Sequence, residues 1–167
     1  MSTTHPGESF EPRSRVYVAS SWRNVFQPAV VAACLAAGME VYDFKAEGAG
    51  FAWKDVDPDW VDDVTTPGAP RQPEGMTFDR IERMLAHPRA MAGFARDYLA
   101  MQQADTFVMV LPCGRSAHLE LGWAIGQGKR TAILNVEEDP EPDLMVLMAD
   151  FRTDNLMDLL AWMGVRD

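Results

Sequence analysis

Short, nearly continuous apolar runs alternate along the chain with longer segments whose apolar positions suit one face of a helix. The short runs end in small polar residues, so they predict buried β-strands. Several of the longer segments have Thr or Pro near their start and Gly after their end, which is typical of helices. The predicted strands are residues 15–20, 40–44, 106–111 and 131–136, and the predicted helices are residues 27–37, 78–86, 89–103, 117–127 and 155–163.

Strand, helix and strand follow one another at residues 15–44, which is the order of a βαβ unit, so the first two strands are expected to be parallel. The alternation continues and predicts an α/β fold: a flavodoxin-like, doubly wound, mostly parallel sheet of four or five strands with helices on both faces. Ligands of such sheets bind beyond the carboxyl ends of the strands, where the strand order reverses. That rule selects residues 20–24, the segment from Asp43 onward, and residues 113–120.

The chain is expected to consist of a tail, one domain and a long loop within that domain. Residues 1–14 are polar and contain Pro and Gly, which predicts a mobile tail rather than a signal peptide. Residues 15–167 suffice for a single domain with its own core. Residues 45–75 are rich in Gly and Pro and predict a functional loop or lid. Trp53 and Trp60 in this loop could stack on a bound base or anchor the loop to the core.

The net charge of −10 argues against a nucleic-acid polymer as partner, because phosphate backbones are bound by basic surfaces. A mononucleotide needs only one or two cations and is compatible with this charge. No apolar run approaches the roughly 20 residues of a membrane helix, so we expect no membrane association and a cytoplasmic protein. Cys34 and Cys113 are expected to be free thiols, and no ligand spacing indicates a metal or another cofactor.

A Gly-Arg-Ser turn at Gly114, Arg115 and Ser116 leads into a predicted helix, where backbone N–H groups and a cation favour an anion. Glu120 lies one turn further on the same face, about 6 Å deeper at a rise of about 1.5 Å per residue. A sugar phosphate could therefore contact both ends. Alternatively, Ser116 only caps the helix and Glu120 is a surface residue. Apolar neighbours argue against this alternative: Leu119, Trp123 and Ala124.

Asp97 is the second candidate acid, because it falls within an apolar stripe of the helix at 89–103. An acid on a core-facing stripe is unfavourable unless it is paired or used, and a carboxyl group kept protonated there could protonate a leaving base. The alternative is an ion pair with Arg96 or Arg89 at the helix edge. The proposed stripe consists of Phe94, Tyr98 and Met101.

Polar residues also follow the first predicted strand. Ser20, Ser21 and Arg23 lie where a phosphate or a ribose could be held, and Tyr17 could point its hydroxyl inward from the strand. Such clusters equally cap helices, so these residues by themselves leave both interpretations open.

Together, these motifs resemble the nucleoside 2-deoxyribosyltransferase superfamily, which includes nucleotide N-glycosidases of the deoxynucleoside 5′-monophosphate and cytidylate type. The resemblance covers most of residues 15–136, without the tail and the long loop. It is carried by Tyr17, Ser21, Arg23, Asp97 ahead of Gln102-Gln-Ala-Asp105, Leu119-Glu-Leu-Gly122, Gly126 and Lys129.

The resemblance implies that Glu120 attacks the anomeric carbon to form a glycosyl ester, that Asp97 assists departure of the base, and that Tyr17 positions the sugar or the nucleophile. It implies a nucleoside or nucleotide ligand and association into a homodimer or higher homo-oligomer. The 5′-phosphate would be held by Ser21, Arg23, Arg115 and Ser116.

One departure from the family pattern concerns Gly114, which stands where members acting on free nucleosides often carry Asp. The adjacent Arg115–Ser116 pair is more similar to the nucleotide-binding branch, which favours a monophosphate substrate and water as acceptor.

Two other functions stay open at this point. One is hydrolysis of NAD, since related α/β folds with a catalytic Glu cleave the nicotinamide ribosyl bond. The other is a nucleotide-sensing module without catalysis, against which the presence of both Asp97 and Glu120 argues.

Overall fold

The computed structural model describes residues 14–46, 50–60 and 76–165. Their centre is a five-stranded sheet in the order β2-β1-β3-β4-β5, and each neighbouring pair is parallel. This confirms the predicted α/β, flavodoxin-like fold and the parallel first pair. The strands are β1 Arg15–Ala19, β2 Glu40–Tyr42, β3 Thr106–Leu111, β4 Arg130–Asn135 and β5 Phe151–Thr153.

Helices cover both faces of the sheet, and each face has its own apolar core. On one face, Val16 and Val18 of β1 pack in a core with residues of the first and last helices, while Tyr17 and Ala19 belong to the opposite core. Because successive strand residues point to opposite faces and both faces are covered, these strands need apolar residues at every position. The helices are α1 Gln27–Ala36, α2 Phe78–Leu85, α3 Pro88–Gln103, α4 Arg115–Gly126 and α5 Leu156–Trp162.

The segment between β4 and the last helix contains two elements that the sequence did not predict. It contains a short 3₁₀ helix, Leu144–Met148, and the edge strand β5, which pairs with β4 through Ala132 and Phe151. β5 is only three residues long and its central Arg152 is exposed, so it carries no apolar run by which the sequence could have revealed it.

The described part of the long loop packs on α3. Phe51 lies against Gly93, where an added Cβ would meet the ring at 3.5 Å, and Trp53 contacts Phe51 and Trp60 with ring centroids 4.9 and 6.0 Å away. Trp53 therefore packs against other rings of the loop, and the choice between stacking on a base and anchoring the loop to the core stays a prediction. Asp57 and Asp55 add ion pairs to Arg80 and Arg89 at 2.6 and 3.2 Å. The rest of the predicted loop, residues 47–49 and 61–75, and nearly all of the predicted tail lie outside the described residues.

The surface of α2 and α3 exposes several large apolar side chains, namely Phe78, Ile81, Leu85, Met91, Phe94 and Leu99. Association between copies of the chain stays a prediction. Across the described ranges, no helix combines the length and the apolar character needed to cross a bilayer.

Candidate active site

Tyr17, Glu120 and Asp97 come together near the point where the strand order reverses, and the other predicted site residues follow β1, β2 and β3. β1 lies between β2 and β3, so the chain leaves β1 toward β2 on one side and returns as β3 on the other. This is the point at which doubly wound sheets bind ligands.

Asn24 fastens the turn after β1 to the end of β3, and it is only 4% exposed. Its Nδ2 donates to the carbonyl oxygens of Val110 and Pro112 at 3.2 and 3.0 Å, while its Oδ1 accepts from the backbone N–H groups of Phe26 and Gln27 at the start of α1. One buried amide therefore fixes two loops of the site, a role that the sequence did not reveal.

Ser20 and Asp43 also make contacts that hold the site together. The Ser20 hydroxyl donates to the Val110 carbonyl at 2.8 Å. Asp43 Oδ1 accepts from Gln27 Nε2 at 2.8 Å and from the Lys45 backbone N–H at 2.9 Å, which ties the end of β2 to α1. Their predicted contact with a substrate stays a prediction.

Tyr17 is the buried centre of the site. Its ring is 1% exposed and stacks against Tyr42 on one side and Phe107 on the other, with centroids 5.3 and 5.0 Å apart. Burial, together with the charges of Glu120 and Asp97, raises the pKa of the Tyr17 phenol far above its ordinary value. Tyr17 is therefore a neutral hydroxyl that hydrogen-bonds the Glu120 carboxylate.

Glu120 lies in the second turn of α4 and is largely withdrawn from water. Burial and the negative charge of Asp97 raise the pKa of Glu120 to about 7, although the hydrogen bond from Tyr17 lowers it. Glu120 is therefore not the surface residue of the alternative interpretation. Part of the reasoning for its burial was nevertheless wrong, because Leu119 is 76% exposed and the buried residues of α4 are Ala117, Leu121 and Ala124.

Asp97 lies between the buried residues Gly93 and Met101 of α3, four positions from each, so it does occupy the core-facing side of this helix. The predicted stripe was wrong in one member, since Phe94 is 63% exposed. The Asp97 carboxylate accepts a hydrogen bond from the Tyr42 hydroxyl at 2.5 Å and lies 3.6 Å from Arg96 Nε. The ion pair with Arg96 that the alternative interpretation predicts is thus present, and the same carboxylate also accepts a hydrogen bond from Tyr42.

Tyr42 is a residue of the candidate site that the sequence did not reveal. It is the register partner of Tyr17 in the neighbouring strand, so the two rings stack side by side at the end of the sheet. The only signal in the sequence was a tyrosine in each of two predicted parallel strands, and their register is not readable from either strand alone.

The predicted anion site occupies the first turn of α4. Gly114 is the N-cap and no side chain caps the helix, so the alternative that Ser116 merely caps it is wrong. Arg115 and Ser116 are exposed there. Ser21, after β1, accepts a hydrogen bond from the backbone N–H of Arg23 at 3.2 Å. The joint contact of these four residues with a phosphate stays a prediction.

Cys113 lies near Glu120 but is not a thiolate. Burial and the charges of Glu137 and Glu120 raise the pKa of its thiol to about 12. Its sulfur is 3.6 Å from His118 Nδ1, which also contacts the Gly114 carbonyl oxygen at 2.9 Å. Within the described ranges, no group of three or more His, Cys, Asp or Glu side chains could hold a metal ion.

No family model and no curated protein matches this sequence. A solved structure of a 2-deoxyribosyltransferase from Bacillus psychrosaccharolyticus matches 92% of this chain and 98% of its own, with a TM-score of 0.54 and 14% identity. A structure of a CMP N-glycosidase from Clostridium botulinum covers 90% of this chain and 97% of its own, with a TM-score of 0.44 and 16% identity. The chain therefore shares the fold of the Bacillus 2-deoxyribosyltransferase.

Proposed function

We propose that this protein cleaves the N-glycosidic bond of a nucleoside or nucleoside 5′-monophosphate, with Glu120 as the nucleophile. The observation that carries the proposal is the pair of carboxyl groups, Glu120 and Asp97, at the ligand-binding edge of the sheet. They are close enough that the charge of one raises the pKa of the other, and each is hydrogen-bonded by a tyrosine. Two coupled carboxyl groups with different surroundings are the usual machinery of glycosyl transfer with retention.

In the first step, the Glu120 carboxylate attacks the anomeric carbon C1′ of the sugar. A C–O bond forms, the C–N bond breaks, and the bonding electron pair leaves with the base. In the reactive form of this coupled pair, Glu120 is ionised and the single shared proton is on Asp97, which donates it to the departing base and so avoids an anionic leaving group. The product is a glycosyl ester on Glu120.

In the second step, Asp97 is a carboxylate and accepts a proton from the incoming acceptor. If the acceptor is water, its oxygen bonds to C1′, the ester bond breaks, and the electron pair returns to Glu120. If the acceptor is a second base, the same exchange transfers the sugar. Hydrolysis and sugar transfer therefore proceed from the same glycosyl ester. The Arg115–Ser116 pair favours a nucleotide as substrate and water as acceptor.

Tyr17 supports both steps by holding the nucleophile. Its hydroxyl stays protonated because the site is buried and negatively charged, so it remains a donor to Glu120 throughout the physiological pH range. This hydrogen bond stabilises the ionised carboxylate, the form that can attack.

The phosphate of a nucleotide would lie at the start of α4. The helix N-terminus presents backbone N–H groups without a side-chain cap, and Arg115 adds a cation beside them. Ser21 and Arg23 follow β1, the parallel neighbour of β3, and would reach the phosphate from that adjacent loop. This arrangement supports a monophosphate over an uncharged nucleoside.

The test is release of base from a panel of nucleosides, nucleoside 5′-monophosphates and NAD, followed by chromatography. We expect release from a monophosphate, and Glu120→Ala should lower it far more than tenfold, a barrier change of more than about 1.4 kcal/mol. Glu82→Ala, which removes an exposed glutamate of α2, is the matched control. A Glu120→Ala protein that retains more than about a tenth of the activity would contradict the assignment, and release from NAD alone would favour the NAD glycohydrolase.

A further inference from the structure

We propose that Tyr42 is a positioning residue for this reaction, acting on the acid through its hydroxyl and on the nucleophile through its ring. The inference rests on the proposed function. It follows from two contacts of one side chain, which touches Asp97 on α3 and Tyr17 on β1, and through Tyr17 reaches Glu120 on α4.

The first contact orients the acid. The Tyr42 hydroxyl donates to Asp97 Oδ1 at 2.5 Å, and Arg96 Nε approaches the same oxygen at 3.6 Å. Because both contacts fall on Oδ1, the carboxyl group is held against rotation and Oδ2 is the oxygen that carries the proton for the base. Burial and the bond to Asp97 raise the pKa of Tyr42 to about 12, so its hydroxyl remains a donor at neutral pH.

The second contact supports the nucleophile. The rings of Tyr42 and Tyr17 are nearly parallel, at 16° and 5.3 Å, and Phe107 closes the other side of Tyr17 at 5.0 Å. Tyr17 is thus clamped between two rings, and the clamp sets where its hydroxyl meets Glu120. Tyr42 is half-buried at the end of β2, so its ring forms the outer wall of this stack.

The hydroxyl and the ring can be separated by mutation. Tyr42→Phe removes the contact to Asp97 and keeps the stack, whereas Tyr42→Leu removes both. Because Asp97 is the protonated acid in the first step, its hydrogen bond with Tyr42 is a neutral one that contributes about 0.5–1.5 kcal/mol, so Tyr42→Phe should lower kcat roughly two- to tenfold. KM for the monophosphate should change little, because the contacts of Tyr42 within the described part of the chain are with Asp97, Arg96 and Tyr17 rather than with the predicted phosphate site. The matched control is Tyr98→Phe, the same change one position after Asp97.

The dependence on the leaving group shows whether Tyr42 acts through the acid. The wild type and Tyr42→Phe are compared on the best nucleotide of the panel and on its base-methylated, cationic counterpart, whose base leaves neutral without a proton. We expect the loss on the first substrate and little loss on the second. Tyr42→Leu should lose activity on both, because it also releases Tyr17. Equal losses of Tyr42→Phe on both substrates would overturn the proposal.

A double-mutant cycle gives the second criterion. In an Asp97→Ala background, Tyr42→Phe should have no further effect on kcat, and additive losses would overturn the inference. Thermal unfolding of each variant verifies that the fold is retained. If the wild type releases base while Tyr42→Phe equals Tyr98→Phe, the positioning role fails and the proposed function stands. If the wild type releases base from nothing in the panel, the proposed function itself fails.

Discussion

The raised pKa of Glu120 predicts that its own charge destabilises the folded protein. A carboxyl group that binds its proton more tightly in the native than in the unfolded state loses stability as the pH rises through the interval between the two pKa values. Glutamine has the shape of the protonated acid and no charge to lose. Glu120→Gln should therefore be more stable than the wild type at alkaline pH, although it removes the nucleophile.

The magnitude follows from the two pKa values. The pKa of Glu120 rises from 4.5 to about 7, and each pKa unit corresponds to about 1.4 kcal/mol. The difference in free energy of unfolding between Glu120→Gln and the wild type should begin near pH 4.5, grow up to pH 7, and level off at up to about 3 kcal/mol above it. Below pH 4.5 the two proteins should be about equally stable.

The assay is urea denaturation of both proteins at pH 4, 6 and 8, monitored by tryptophan fluorescence. Glu82→Gln, an exposed glutamate in another helix, is the control and should follow the wild type at each pH. A Glu120→Gln protein that is no more stable than the wild type at pH 8, or whose advantage does not grow with pH, would refute the electrostatic account of the site.

Three further predictions concern the reaction and the scaffold. The value of kcat/KM should fall as the pH rises through about 7, because the pair of Glu120 and Asp97 then loses the one proton that the departing base must receive. Asp97→Asn should abolish this fall by removing the acid, and a fall that persists in that variant would contradict the coupling. Arg115→Ala should weaken monophosphate binding roughly ten- to a hundredfold and leave binding of the nucleoside unchanged. Binding is measured as KM at low and high salt. An equal loss on both ligands would mean that Arg115 supports the turn instead of contacting the phosphate. Asn24→Ala should lower the free energy of unfolding in urea by about 1–3 kcal/mol, more than Asn155→Ala at the exposed cap of α5, and the reverse order would contradict its role as a buried link.

The sequence by itself determined the parts of the fold that depend on residues close together along the chain. β3 has the predicted bounds, because a strand covered on both faces needs an unbroken apolar run. Thr77 caps α2 as predicted, accepting from the Arg80 backbone N–H, because capping is a contact across three residues. β5 escaped detection because it is short and is held by pairing with a strand already formed.

The residues of the candidate site also differ in how far the sequence alone could predict them. The sequence indicated Glu120, Asp97 and Tyr17 by residue type and by resemblance, but only the tertiary structure decided how they interact. The sequence did not reveal that the pKa of Glu120 is raised, since a pKa depends on burial and on charges from distant parts of the chain. Tyr42 became visible only when the register of β1 and β2 placed it against Tyr17. Helix and strand patterns are local, whereas desolvation, stacking and Coulomb interactions exist only between groups that folding has brought together.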